Sequence, residues 1–395
     1  MIAYVGTVVP PEAEDSSIAI SRAGNLFQRN MLRSLKAVGA APSVVLSQFP
    51  VPKFPRSRRI YVSGKSLSTD GISLRMLPFL NVPVLRQVSI GFQVIRSLVR
   101  WSRNVRGAKK VVMTYNLSEP PGLFTLIGAR LIGATAVAAL LDVNVPGETV
   151  PNTLVRRLDF ALQNHIIPRY DAVIAINEHI VSDLCPSSPH IIIEGGVTQE
   201  FLDLFEESNP RVEPPFTVVF AGALSEANGI REMIQAFKLL PNTGFRLQIA
   251  GRGHLEDLVR KASDDDPRIE YHGYLSHDAV LEMYKGASVL LNMRLTSRIN
   301  TRYFVPSKLM EYLATGVPII TTRIPHVERY AEFVYVLDSE TPEALAAMIR
   351  RVARLNPEDR LEIGRAARAF AANNLEWTVQ ATRIRDFIDG LSTGS

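Results

Sequence analysis

Residues 307–311 place a hydroxyl, an ammonium group and a carboxylate within a little over one predicted helical turn. Pro306 and Ser307 form a helix-start signal, and Gly316 followed by Pro318 ends the helix after about three turns. The first turn of a helix carries backbone N–H groups without intrahelical acceptors and the positive end of the helix dipole. Such a turn favours a bound phosphate.

The side-chain spacing in this helix predicts more than a phosphate. Ser307, Lys308 and Glu311 are three or four residues apart and share one face, whereas Leu309 and Leu313 can pack against a sheet. A lysine in the first turn opposes the dipole unless an anion is bound there. Glu311 can accept hydrogen bonds from ribose hydroxyls. The pattern therefore predicts a nucleoside diphosphate that is held by Ser307, Lys308 and Glu311, together with the first helical turn at Leu309. The alternative is a surface helix whose Lys–Glu pair contributes a few tenths of a kcal/mol.

The elements around this helix alternate between β-branched apolar runs and helical segments, which indicates parallel sheets in an α/β fold. In the first half we predict the strands Ile2–Val9, Ser43–Ser47, Lys110–Thr114, Thr135–Leu141, Ala172–Ile176 and Ile191–Glu194. The helices predicted there include Ala23–Ala37, Phe124–Leu131 and Leu154–Arg169.

The same alternation begins again after residue 215. The predicted strands are Phe216–Phe220, Phe245–Ala250, Ile269–Tyr271, Val289–Asn292 and Val317–Thr322. The predicted helices are Ile230–Leu240, Leu255–Lys261, His277–Lys285 and Ser307–Thr315. Residues 203–215 are rich in Glu and Pro and form the predicted linker. We therefore expect two Rossmann-like domains, at 1–202 and 216–375.

Residues 304–320 resemble the donor-binding motif of the large retaining glycosyltransferase family four, whose fold is called GT-B. Glu311 falls on the second of the two motif glutamates, and Gly316 and Pro318 fall on its Gly and Pro. Tyr303 stands where the first glutamate would be. The segment is more similar to a variant with Phe-Pro-Ser-Lys-Xaa-Xaa-Glu-Tyr.

Further segments extend the resemblance over about residues 170–380: 193–197, 220–225, 229–230, 249–253 and 271–275. Gly222 falls in the family's glycine loop, where the backbone approaches the donor. The Arg and Lys that grip the donor diphosphate in that loop are replaced by Ala223 and Asn228. Because a departing diphosphate needs charge stabilisation, we hypothesise that Arg294 and Lys308 supply it.

Arg298 and Arg302 are nearby reserves for that charge. The alternative is that these arginines are solvated loop charges.

The resemblance implies two domains facing across a cleft, with the donor on the C-terminal domain and the acceptor on the N-terminal domain. It also implies that a C-terminal helix at 376–395 packs back onto the N-terminal domain. The implied hexosyl transfer retains configuration by front-face displacement, without a protein nucleophile or an essential metal. We therefore expect no metal and no cofactor, with a UDP- or GDP-linked sugar as the donor substrate.

Two N-terminal residues are candidates for substrate contact. Gly24 lies where many relatives keep a Gly-Gly near the donor phosphate, although a plain helix start also explains it. Asp142 follows a buried strand, where ligands bind in α/β folds. We hypothesise that Asp142 contacts the transferred sugar or the acceptor hydroxyl; a turn- or helix-capping role is the alternative.

Positive charge is concentrated at the start of the chain. Residues 1–110 hold 17 Lys and Arg against four Asp and Glu, a net charge of +13, while the remainder has a net charge of −8. Basic residues cluster at 53–65, and residues 74–101 mix apolar side chains with arginines. This pattern predicts contact with an anionic membrane and a polyprenyl-linked acceptor. The alternative is a basic soluble surface over core helices.

Composition and residue spacing argue against several classes of protein: disulfide-bonded, nicotinamide-dependent and nucleic-acid-binding. Cys185 is the only cysteine, so no intrachain disulfide forms. No G-x-G-x-x-G pattern supports a nicotinamide enzyme, and no nucleic-acid module is visible. The start of the chain reads as a strand and no run of about 20 apolar residues occurs, so we expect a cytoplasmic protein with peripheral contact at the inner membrane face.

The expected function is sugar transfer from a nucleotide sugar to a glycan or lipid-linked acceptor in surface polysaccharide or glycolipid assembly. Two alternatives remain open because Tyr303, Ala223 and Asn228 depart from the family pattern. One is a non-catalytic nucleotide-sugar-binding partner subunit, and the other is a sugar-nucleotide epimerase of the same fold.

Overall fold

A computed structural model of the chain describes residues 1–14, 21–117, 121–143, 145, 151–206, 213–305 and 307–391. The chain divides into two compact units. The N-terminal unit comprises Met1–Gly195 and Trp377–Ser395, and the C-terminal unit comprises Gly196–Glu376.

The N-terminal unit is built on an eight-stranded sheet. The strands of the unit, including two outside this sheet, are β1 (Ile2–Gly6), β2 (Val44–Gln48), β3 (Tyr61–Val62), β4 (Lys65–Thr69), β5 (Ile72–Leu77), β6 (Phe79–Leu80), β7 (Val111–Tyr115), β8 (Thr135–Leu140), β9 (Ala172–Ala175) and β10 (His190–Ile192). The sheet order is β10-β9-β8-β7-β1-β2-β5-β4. Pairing is parallel except between β4 and β5, while β3 and β6 form a separate antiparallel pair.

Helices cover this sheet, and one of them comes from the end of the chain. They are α1 (Pro11–Glu14), α2 (Arg22–Ala37), α3 (Leu85–Asn104), α4 (Pro121–Leu131), α5 (Leu154–Ile166), α6 (Glu178–Leu184) and the C-terminal helix Trp377–Gly390. Met31, Leu32 and Leu35 form part of the buried stripe of α2, because residues three to four apart share one helix face. The C-terminal helix packs on α2, where the rings of Phe27 and Trp377 meet edge to face at 4.8 Å.

The segment 74–101 is largely a strand and a helix of this core. Leu74 and Met76 point inward from β5, and Val94 and Leu98 lie on the buried face of α3. The alternation of buried and exposed residues in 72–76 is that of a half-buried strand. Most of the apolar content that suggested a membrane surface therefore serves packing, and the outer face of α3 retains the rest.

The C-terminal unit repeats the α/β pattern with a six-stranded parallel sheet. Its strands are β11 (Phe216–Ala221), β12 (Phe245–Ala250), β13 (Ile269–Tyr271), β14 (Val289–Asn292), β15 (Ile319–Thr321) and β16 (Tyr335–Val336). Its helices are α7 (Gln199–Leu204), α8 (Ile230–Lys238), α9 (Glu256–Asp265), α10 (His277–Lys285), α11 (Ser307–Thr315), α12 (Pro342–Arg354) and α13 (Pro357–Asn374). The order β13-β12-β11-β14-β15-β16 is the strand order of a Rossmann fold.

Helix α11 has the bounds that its sequence predicts. It ends at Thr315, before Gly316, which adopts a φ of +71°. The helix lies close to α13, because a β-carbon at Gly364 would strike the carbonyl oxygen of Gly316. Leu309 and Leu313 are fully buried, as the spacing predicts.

The boundary between the units lies at residues 195/196 rather than at 202. Helix α7 belongs to the C-terminal unit because Arg368 of α13 donates hydrogen bonds to the carbonyl oxygens of Leu202 (2.9 Å) and Phe205. Residues 207–212 of the predicted linker, together with Asn144, Pro306 and 392–395, lie outside the described residues.

Within the described segments, each helix is too short or too polar to cross a lipid bilayer.

Candidate functional site

The predicted donor-site residues gather where the strand order of the C-terminal sheet reverses. Strand β11 lies between β12 and β14, so the chain crosses over at the β11/β14 pair. Gly222 follows the last residue of β11, and Arg294 lies two residues beyond the end of β14. In open parallel sheets, ligands bind beyond the carboxyl ends of the strands at this switch point.

Two glycine loops meet at that edge without intervening side chains. The Gly222 amide donates to the carbonyl oxygen of Ala250 at 2.9 Å, which extends the pairing of β11 with β12. Gly251 has a φ of +141°, and a β-carbon there would collide with the Gly222 carbonyl oxygen. The backbone at the end of β11 is therefore fixed by a close approach that only glycine permits.

Lys308 extends from the first turn of α11 to this loop. Its ammonium group donates to the carbonyl oxygen of Ala221 and lies 5.8 Å from the ring centroid of Phe220. Burial lowers the pKa of Lys308 to about 8; nearby Glu311 opposes that shift and Arg294 adds to it. Lys308 is thus a half-buried cation whose pKa lies much closer to neutral pH than that of an ordinary lysine.

Glu311 lies one turn further into α11 and is half-buried. Burial raises the pKa of its carboxyl group, while the charges of His277 and Lys308 act in the opposite direction. Within the described part of the chain, no group donates a hydrogen bond to this carboxylate. Its acceptor capacity is therefore available to hydroxyl donors, as the sequence predicts for a ribose.

Arg294 reaches the same site from the loop after β14. Its backbone is fixed by Thr322, whose hydroxyl accepts from the Arg294 amide at 3.0 Å and donates to its carbonyl oxygen at 2.7 Å. Its guanidinium stacks 4.6 Å from the ring centroid of Phe304 and forms no ion pair with any described residue. Burial lowers the pKa of this guanidinium.

The sequence did not predict that the Phe304 ring would pack against the Arg294 guanidinium. The two residues are ten apart in a region without regular structure, so no periodicity could have predicted the contact.

A carboxylate orders the first part of the loop that follows Arg294. Both oxygens of Glu340 accept hydrogen bonds from this loop: Oε1 from the Thr296 amide (2.6 Å) and hydroxyl, and Oε2 from the Ser297 amide (3.2 Å) and hydroxyl. Because Glu340 is more than 40 residues away in sequence, only the fold brings it here.

The two reserve arginines have local contacts of their own. The Arg298 guanidinium bridges Glu226 (2.8 Å) and Glu232 (2.9 Å), so its charge is matched by carboxylates. The Arg302 amide donates to the Asn300 side chain at 2.8 Å. The Arg294 guanidinium, without an ion pair to any described residue, acts electrostatically on Lys308.

Ala223 and Asn228 shape the glycine loop instead of providing charge. Asn228 is buried, and its side chain donates to the Ala223 carbonyl oxygen at 2.6 Å. An asparagine at this position thus holds the loop by its amide.

At the start of α11, Ser307 is exposed, and Leu309 can offer a ligand only its backbone amide because its side chain is fully buried.

Gly24 and Asp142 both lie near the carboxyl end of β7, a central strand of the N-terminal sheet. A β-carbon at Gly24 would lie 2.6 Å from the Tyr115 hydroxyl oxygen. Asn116 accepts from the amides of Leu141 (2.8 Å) and Asp142 (3.1 Å), so Asn116 caps this turn and leaves the Asp142 carboxylate exposed.

The neighbouring atoms nevertheless affect the protonation of this carboxylate. Desolvation raises the pKa of Asp142, and a hydrogen bond from Asn116 opposes the shift.

A family profile matches the part of the chain that carries these C-terminal residues. Residues 215–354, which contain β11, β14 and α11, match the sequence profile of the family described as "Glycosyl transferases group 1".

Curated relatives align over part of their length. The amylovoran biosynthesis glycosyltransferase AmsK of Erwinia amylovora is 21% identical over 216 residues, which cover 53% of this chain and 52% of that protein. The putative colanic acid biosynthesis glycosyltransferase WcaL of Escherichia coli is 24% identical over 250 residues, which cover 58% and 60% of the two chains. The chain thus matches little more than half the length of these relatives.

Solved structures match over the whole chain. Anabaena HepE in complex with UDP superposes with a TM-score of 0.69 at 12% identity, covering 98% of this chain and 99% of that one. The sucrose-phosphate synthase of Thermosynechococcus elongatus gives a TM-score of 0.66 at 14% identity, covering both chains completely. The fold is that of the GT-B glycosyltransferases. At these identities the likeness concerns the fold, and the site is judged by its own residues.

Proposed function

We propose that this chain is a glycosyltransferase that moves a sugar from a UDP- or GDP-linked donor to a glycan or lipid-linked acceptor. The proposed process is the assembly of a surface polysaccharide or glycolipid. The matching profile, the amylovoran and colanic acid relatives, and the HepE structure with UDP support this assignment.

One observation carries the proposal. Arg294 and Lys308 are half-buried cations that lie together beyond the carboxyl ends of β11 and β14, next to Gly222, which has no side chain. Two like charges in a partly desolvated site repel each other, and each loses hydration. A bound diphosphate would offset both costs, whereas a purely structural role would not.

The proposed roles follow from the positions. Glu311 accepts hydrogen bonds from the ribose, and the amides of Ser307 and Leu309 with the Lys308 ammonium group hold the diphosphate. Arg294 stabilises the negative charge that develops on the departing diphosphate, an effect present mainly in the transition state. Gly222 lets the donor approach the backbone at the end of β11.

We propose that transfer is retaining and that Asp142 contacts the transferred sugar or the acceptor hydroxyl, with Gly24 near the donor phosphate. The exposed carboxylate of Asp142, with its raised pKa, can accept a hydrogen bond from a sugar hydroxyl. For a lipid-linked acceptor we propose peripheral contact at the anionic inner face of the membrane, supported by the positive charge of residues 1–110.

Incubation of the protein with a panel of UDP-, GDP- and TDP-sugars tests the proposal. Slow hydrolysis of one donor that yields free sugar with the donor's anomeric configuration is the expected result. Interconversion of the donor sugar would establish an epimerase instead. Tight binding without turnover, even with lipid and glycan acceptors added, would establish a non-catalytic subunit.

A further inference from the structure

A basic cavity of about 330 Å³ lies in the N-terminal unit between β5 and α3. Arg75 of β5 and Arg96 and Arg100 of α3 line it, together with Tyr61 and Ser97. The volume is at the lower end of the range found for small-molecule sites. It suits a small, highly charged group better than a nucleotide.

The three arginines of this cavity have no compensating carboxylates. Arg96 and Arg100 are one helical turn apart, an arrangement in which like charges destabilise a helix. All three are exposed, and none of their guanidinium groups forms an ion pair or hydrogen bond with another residue in the described ranges. Positive charge is therefore concentrated at one point, whereas elsewhere in this unit Arg29 and Arg130 pair with Asp70 and Asp171.

Ser97 is a second, independent indication of a ligand. Its side chain lines the cavity with only 5% of its surface exposed, and its hydroxyl makes no hydrogen bond to any described residue. The hydroxyl oxygen keeps access to solvent and therefore opens to the cavity. The Thr125 hydroxyl, by contrast, donates to the carbonyl four residues earlier, at Pro121. An unpartnered hydroxyl beside three guanidinium groups matches the needs of a phosphate oxygen.

Apolar side chains continue from the cavity along the outer face of α3. Leu85, Val88 and Phe92 precede Arg96 on this face at spacings of three or four residues. Their exposed fractions are 50%, 37% and 63%. The outward face of one helix is thus apolar in its first half and cationic in its second, and the preceding residue Val84 is 75% exposed.

We propose that this cavity binds the phosphate of a membrane lipid while the outer face of Leu85, Val88 and Phe92 enters the headgroup boundary. A guanidinium group can donate two parallel hydrogen bonds to the oxygens of one phosphate. Apolar side chains beside it stabilise contact with the acyl region of the membrane. A water-soluble phosphate compound would account for the arginines but not for the adjoining exposed apolar face. The inference deepens the lipid-linked acceptor part of the proposed function and rests on it only for the acceptor's identity.

Vesicle sedimentation tests the proposal with two matched double variants. R96Q/R100Q removes two charges that line the cavity, and R103Q/R106Q removes two exposed charges from the same end of α3 and the turn after it, outside the cavity. Each charge near an anionic surface contributes roughly fivefold to binding. We expect R96Q/R100Q to lower binding to phosphatidylcholine vesicles containing polyprenyl phosphate by at least about twentyfold, and R103Q/R106Q to lower it by no more than about fivefold.

A second comparison separates a lipid from free phosphate. F92S should weaken vesicle binding several-fold, while L239S, which changes an exposed leucine of the C-terminal unit, should leave it unchanged. If both double variants lost vesicle binding equally, general surface charge would explain the binding and the cavity would be rejected as the phosphate site. If the protein bound inorganic phosphate tightly but bound no vesicles, a membrane lipid would be rejected as the ligand of the cavity.

The donor-hydrolysis assay keeps this inference distinct from the proposed function. R96Q/R100Q should hydrolyse the donor at the unmodified rate, since neither arginine belongs to the donor site. Loss of vesicle binding with hydrolysis intact supports the inference. A protein that binds vesicles but never turns over a donor would refute the transferase and leave the lipid site standing.

Discussion

The ammonium group of Lys308 occupies the space that a β-carbon would need at Gly222. The same group donates to the carbonyl oxygen of Ala221, the last residue of β11. The glycine loop and the first turn of α11 are therefore fitted to each other, although 86 positions separate the two residues in the numbering of the chain. This contact makes the glycine and the lysine a joint requirement of the candidate site.

Replacement of Gly222 by alanine should affect ligand binding more than stability. The new β-carbon meets the end of a flexible side chain, so the lysine can move aside, and we expect the free energy of unfolding to change by about 1 kcal/mol or less. The displaced ammonium group should weaken nucleoside diphosphate binding about as much as Lys308→Met does. Calorimetry with UDP and GDP measures this; a G222A protein with unchanged affinity would separate the two residues.

Binding of the diphosphate should weaken as the pH rises above about 8, because the pKa of Lys308 in the ligand-free protein is about 8 instead of its ordinary 10.5. The K308M variant should lose this pH dependence of binding.

The free energy of unfolding should show the opposite trend with pH. Between about pH 8 and 10.5 the unfolded chain holds a proton that the folded chain has released, so unfolding becomes less favourable as pH rises. Calorimetry and urea unfolding across this range check the two signs.

The carboxylate of Glu311 should contribute strongly to donor binding. Hydrogen bonds to a charged acceptor are worth about 1.5–3 kcal/mol, so Glu311→Gln should lower affinity by roughly tenfold to a hundredfold. Glu332→Gln, which neutralises an exposed carboxylate of the same unit, is the control. A 2′,3′-dideoxy nucleotide should bind the normal protein and E311Q equally; a persistent difference would remove Glu311 from ribose recognition.

Arg294 should act on turnover more than on donor affinity. Loss of a group that stabilises charge in the transition state costs on the order of a hundredfold to a thousandfold in kcat. We expect Arg294→Ala to show that loss in donor hydrolysis, and Arg323→Gln, at an exposed arginine of the same unit, to show none. An R294A protein with normal kcat and KM would exclude Arg294 from the mechanism.

Gly251 should be the more sensitive of two glycines with positive φ. Alanine at Gly251 combines an unfavourable φ of +141° with a collision against the Gly222 carbonyl, and should cost roughly 3 kcal/mol or more. Alanine at Gly244, whose φ is +84° and whose β-carbon would meet open space, should cost about 1 kcal/mol. Urea unfolding of both variants compares them; equal losses would show that backbone strain alone acts at Gly251.

Local signals predicted most elements of the C-terminal unit. The strands Phe245–Ala250, Ile269–Tyr271 and Val289–Asn292 and the helix Ser307–Thr315 have the predicted bounds. Their apolar spacing and their start and stop residues depend on neighbours within one turn or a few strand positions, and such patterns are readable along the chain. The α/β class followed from the same alternation.

The sequence was less informative for the N-terminal unit. The antiparallel pairing of β4 with β5 and the helix Leu85–Asn104 were not predicted, and residues 74–101 were interpreted as one surface. A strand followed by an amphipathic helix gives the same mixed composition as an interfacial segment. Only pairing of β5 with β2 decided which of its side chains point inward.

The sequence alone therefore determined the α/β fold and the chemical groups of the candidate donor site, because a helix start and its spacing are local properties. Tertiary structure decided the partners of those groups: Phe304 beneath Arg294, Glu340 on the loop at 296–297, Glu226 and Glu232 around Arg298, and Lys308 against Gly222. Most of these contacts join residues far apart in sequence, and they depend on strand order and on which loops meet at one edge of the sheet. Charge compensation and burial, which set the pKa of Lys308 and leave Arg294 without a carboxylate partner among the described residues, arise only when those loops come together.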